Sequence, residues 1–144
     1  MDDMYVPFGN EMVDSEEIKL KIEELTPFKC IADLSFATKR EDVIALHLKI
    51  EEQDLKDILE EEGFDLDEDE AEGEDLVEEF LQLSDEIGVD IENILEEIKY
   101  TMFRTYSYNY DAGNKEVKAI FLMAHKDLGI KKLNDVLGRL LKQV

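Results

Sequence analysis

Val43-Ile44-Ala45-Leu46-His47-Leu48-Lys49-Ile50 is followed at once by Glu51 and then by Leu55, Ile58 and Leu59 at helical spacing. Ile44, Leu46, Leu48 and Ile50 fall on alternate positions, the period of a strand with one buried face. The change of period at Glu51 marks a strand running directly into a helix, with Gly63 as the helix stop. Upstream, Phe28, Cys30, Ala32, Leu34 and Phe36 alternate with Lys29, Asp33 and Ser35, and Thr38-Lys39-Arg40-Glu41 supplies a polar turn. The stretch from Phe28 to Leu59 therefore reads as a β-hairpin followed by a helix, a ββα unit.

The same plan recurs toward the C-terminus. Thr101 to Tyr110 is rich in aromatic and β-branched residues, as strands are. Asp111-Ala112-Gly113-Asn114 reads as a turn with Gly113 free to take positive φ. Lys115 to His125 forms the second strand, and Leu133, Val136, Leu137, Leu140 and Leu141 mark a closing helix. Val43–Ile50 lies over Val117–Ala124, and Leu55–Leu59 resembles Leu133–Leu137 after a gap of four residues. The expected fold class is α+β: a small antiparallel sheet built from two ββα units, with the helices packed on one face.

Between the units, Leu76, Val77, Phe80, Leu81, Ser84 and Ile87 stripe a helix that begins near Asp75 and is expected to stop at Gly88. Asp90 would cap a further helix with Ile91, Ile94, Leu95 and Ile98 inside. Residues 1–14 lack periodicity and read as an irregular N-terminal arm. Ile18 to Ile22 alternates like a short strand, while Asp14 and Glu17 offer a capping box for a helix instead. Leu34, Phe36, Leu46, Leu48, Phe80, Ile94, Phe121 and Leu137 are the expected common core.

The 144 residues fit one acidic α+β domain, 1–144, and the hydrophobic fraction of 44% is that of a globular chain. The net charge of −22 is unevenly placed. Residues 51–100 hold 23 acids and two bases, whereas residues 101–144 hold four acids and eight bases. The run from Asp65 to Asp75 is too charged to pack and reads as an acidic loop. Free nucleic acid and anionic membranes are repelled by such a chain, and a basic protein surface is attracted. The lone Cys30, the acidic start and the lack of a long apolar run fit a cytoplasmic protein with no membrane partner.

No catalytic group stands out. Cys30 lies on an apolar strand face, and His47 and His125 belong to no triad. The histidines are 78 positions apart, which does not suit a zinc site. No glycine-rich phosphate loop is present, so no cofactor is expected. Asp65, Asp67 and Asp69 have the one-three-five spacing of a calcium loop, but Glu70 stands where glycine is needed and Leu76 where glutamate is needed. No metal site is assigned.

In size and charge the chain is similar to small acidic secretion chaperones and to phage-encoded inhibitors. The leading expectation is a non-enzymatic binding protein, a phage-type anti-defence inhibitor that mimics nucleic acid toward a basic, nucleic-acid-binding protein. Glu51, Asp54, Asp57, Glu60, Glu61, Asp65, Asp67 and Asp69 would carry the binding. The alternative is a chaperone or assembly adaptor binding through the sheet. Tyr106 and Tyr108 would lead there, on a strand face shared with Tyr110, Met102 and Arg104.

Overall fold

The computed structural model describes residues 5–8, 11–63 and 74–144. The fold class is α+β. Strands β1 (Tyr5–Phe8) and β2 (Glu11–Asp14) form a small antiparallel pair, and helix α1 (Ser15–Leu25) follows. Strands β3 (Lys29–Asp33) and β4 (Val43–Glu51) lead into α2 (Glu52–Glu61) and α3 (Glu74–Ile94). Strands β5 (Thr101–Asp111) and β6 (Glu116–His125) then lead to α4 (Ile130–Leu141). The main sheet is antiparallel throughout, in the order β3-β4-β6-β5. Both hairpins and a helix after each are present, but β3 stops at Asp33 instead of running on to Phe36.

The sheet is covered on both faces, not on one. Ile44, Leu46, Leu48, Ile50, Val117, Ala119, Phe121 and Met123 face one cluster, which takes in Ile18 and Ile22 of α1, Leu55 and Leu59 of α2, and Phe80, Leu83 and Ile87 of α3. Val43, Ala45, Ile120, Leu122 and Ala124 face a second cluster with Leu133, Val136, Leu137 and Leu140 of α4. Central strands buried on both faces lose clean alternation, which is why Val43–Leu46 and Ile120–Ala124 are unbroken apolar runs. Because α2 and α4 cover opposite faces, the two ββα units have opposite hand and no rotation superposes them. Their likeness is one of pattern. The expected common core is likewise divided: Leu46, Leu48, Phe80 and Phe121 lie in the first cluster with Ile94 against it, and Leu137 lies in the second with Leu34 against it.

Two β-bulges decide which way side chains point. One falls between Cys30 and Ala32, so Cys30 packs against the first cluster and Leu34 against the second. Phe36, expected in the core, begins a 3-10 turn and is 58% exposed. The other bulge, between Ser107 and Asn109, turns Tyr110 away from Tyr106 and Tyr108.

Other expectations are corrected. Residues 5–8 and 11–14 pair as strands instead of forming an irregular arm, with Val6, Phe8 and Val13 buried. Ile18 to Ile22 is helical: the Asp14 side chain accepts from the Glu16 N–H at 3.0 Å, and Ile18 and Ile22, one turn apart, face inward. Glu74 and Asp75 belong to α3, not to a loop. Gly88 does not end a helix, and Asp90 caps none; both lie inside α3. A Cβ at Gly88 would stand 2.6 Å from Thr105 Cγ2, so the glycine is a notch that lets α3 lie close on β5. The left-handed residue of the β5–β6 turn is Lys115 (φ 55°), not Gly113.

Candidate binding surfaces

Helix α2 turns Leu55 and Leu59 inward, which directs Asp57, Glu60 and Glu61 outward. Asp57, Glu60 and Glu61 are exposed, while Asp54 and Glu51 are half-buried. Glu51 closes β4 and lies 3.7 Å from Lys49 Nζ. Asp65, Asp67 and Asp69, and with them the calcium-loop spacing, lie outside the described residues. Helix α3 packs on the same side of the sheet and adds acids that the sequence reading passed over. From Leu76 to Ile94 it carries six acids and no base, with Glu78, Glu86 and Asp90 exposed. Their signal was present: they are the positions left outside the Phe80, Leu83, Ile87 stripe. Helix α4, on the opposite face, carries three bases and one acid. Charge is thus divided by layer.

Several acids are structural. Asp85 accepts the Ser107 N–H at 2.8 Å, and Ser107 Oγ and Ser84 Oγ bond at 2.6 Å. Glu23 accepts the Cys30 N–H at 3.1 Å. Tyr110 Oη donates to Glu52, which with burial pushes the phenol up to about 12. Tyr110 also packs on Phe80 and ties β5 to α2, so it is no part of a free tyrosine face.

Tyr106 and Tyr108 lie on the α4 face of the sheet, opposite the acidic helices. Tyr106 is 37% exposed with the Arg104 guanidinium 5.6 Å from its ring centroid. Tyr108 is half-buried, and its hydroxyl shares a 2.7 Å hydrogen bond with His47 Nε2. Burial, reinforced by the Lys118 charge, lowers the His47 pKa, and burial raises that of Tyr108. The acids and the tyrosines are therefore separated by the sheet, and one flat partner surface cannot touch both.

Burial pushes the Cys30 thiol up to about 11, which disfavours the nucleophilic thiolate. His125 stacks with the rings of Phe8 and Tyr100, and its Nδ1 accepts the Asp127 N–H at 3.1 Å. Among the described residues, no group of three or more His, Cys, Asp or Glu could hold a metal ion, and no helix is long and apolar enough to cross a membrane. No family model, curated protein or solved structure matches the chain.

Proposed function

We propose that the chain is a non-enzymatic binding protein that engages a basic protein surface through the outer faces of α2 and α3, standing in for nucleic acid. The observation that supports this is the division of charge by layer: α2 and α3 together present Asp57, Glu60, Glu61, Glu78, Glu86 and Asp90 outward on one side of the sheet. A solubility function alone needs no such sidedness. A nucleic-acid-binding protein lines its channel with Lys and Arg to meet phosphates, and a rigid acidic face competes for those groups. A phage-type inhibitor acting in the cytoplasm is the concrete form of this reading.

The test is capture of basic proteins from a lysate at low salt, followed by release. Added duplex DNA and raised salt should each elute the partner, and D57K/E60K/E61K should lose it while melting like the parent. Retention through DNA, salt and charge reversal would sink the proposal. A second reading, an adaptor using the opposite face, is favoured by one observation, the exposure of Tyr106 beside Arg104. It expects the reverse order: Tyr106→Ala and Tyr108→Ala abolish binding, and salt matters little.

A further inference from the structure

We infer that the groove where α1, α2 and α3 meet seats the side chain of an arginine from the basic partner. The inference rests on the proposed function and names the group that anchors it. The groove has a volume of about 320 Å³. Leu83 and Ile87 of α3 form its floor, with half-buried Ile58 of α2 and, at 58% exposure, Leu25 of α1. Its rim carries Glu62, Glu86 and Asp90, all exposed, and among the described residues no base lines it.

A second feature adds to the charge. The C-terminal ends of α1, at Leu25, and α2, at Glu61, both abut this groove, and neither helix has a basic residue in its last turn. The partial negative charge at each end is therefore not offset from within the helix. Carboxylates alone would describe any acidic surface. An apolar floor below an acidic rim and two negative helix ends selects an occupant that is apolar along its length and cationic at its tip. The described carboxylates do not gather closely enough to hold a metal ion. Arginine fits better than lysine, because its planar fork presents several donors to a rim of carboxylates and is less strongly hydrated. Covering Leu25 adds apolar burial, as anchoring residues of interfaces do.

The probe is acetylated hexa-arginine amide, titrated into the full ¹⁵N-labelled chain, with the citrulline peptide as its uncharged counterpart and hexa-lysine as the point-charge counterpart. Amides of Thr26, Ile58, Glu62, Leu83 and Ile87 should shift with hexa-arginine and stay still with citrulline. E62Q/E86Q/D90N should weaken binding on the order of tenfold or more, and Leu25→Ala severalfold, with unchanged melting because all four side chains are exposed. Equal binding of hexa-lysine in the groove would overturn the choice of arginine. Binding that shifts only Asp57, Glu60, Glu61 and Glu78, with groove variants equal to the parent, would overturn the groove and leave the acidic-face reading standing. Absence of hexa-arginine binding at low salt would overturn both.

Discussion

Single residues in this fold are set by what lies across from them. Helix propensity says that Gly88→Ala should stabilise α3 by about 1 kcal/mol. The structure says the opposite, because the new Cβ would meet the Cγ2 and Cβ of Thr105 at 2.6 and 2.7 Å, and a β-branched side chain has little freedom to yield. We expect Gly88→Ala to cost about 1–3 kcal/mol in denaturant melts, and the cost to shrink in the presence of Thr105→Gly. Thr105 Oγ1 is buried without a hydrogen-bond partner among the described residues. Thr105→Val, which keeps the shape and removes that hydroxyl, should raise stability by about 1 kcal/mol. His47 offers a pH test. Its folded pKa is depressed by burial and by Lys118, so the unfolded chain binds the proton more readily. That contribution to stability is present above the unfolded histidine pKa of about 6.5 and is lost as pH falls below it. His47→Gln should flatten the slope of stability against pH in that window, and an unchanged slope would remove His47 from the account.

At the scale of elements, the two edge strands are handled alike. β3 and β5 each carry a bulge, and each has a backbone N–H at the bulge taken by a helix carboxylate, Cys30 by Glu23 and Ser107 by Asp85. Bulges and covered donors are how sheets discourage pairing with a second chain. Asp85→Ala should cost about 1.5–3 kcal/mol, the range for a hydrogen bond to a charged group, and should speed hydrogen exchange at the Ser107 amide. Glu86→Gln, one residue along but exposed, should stay within about 0.5 kcal/mol of the parent. Equal effects at the two positions would show that α3 acts only as a charged cover. These bulges also explain a limit of periodicity. Alternation assigned Phe28 to Phe36 and Met102 to Tyr110 each to one face, and one extra residue in each strand moved Leu34 and Tyr110 to the other.

For the whole molecule, the sheet is a near-neutral plate between layers of unlike charge. Each of β3, β4, β5 and β6 carries one base and one acid. Helices α2 and α3 hold the acids on one side, and α4 holds a basic excess on the other. Like charges held on adjacent helices repel, and salt screens them over about 10 Å at 0.1 M. The midpoint of thermal unfolding should therefore rise as sodium chloride goes from about 10 mM to about 0.5 M. A falling midpoint would mean that pairs such as Lys21–Glu97, at 2.6 Å, outweigh the repulsion. The same sidedness makes the molecule dipolar, and under the proposed function that dipole would turn α2 and α3 toward a basic partner.

Sequence alone determined what depends on neighbours along the chain. The hairpins, the inward stripes of α2, α3 and α4, and the excess of acid in residues 51–100 follow from period and composition. Asp57, Glu60 and Glu61 were legible as a surface because Leu55 and Leu59 fix which side of that helix is inside. Tertiary structure decided what depends on contacts between distant residues. It placed α4 on the face opposite α2, ran Glu74–Ile94 as one helix with Gly88 set against Thr105, and parted Tyr110 from Tyr106 and Tyr108. A helix stripe states that a face is buried and not which side of the sheet buries it. A glycine reads the same whether it ends a helix or admits a strand. Those choices follow from packing, which no local period encodes.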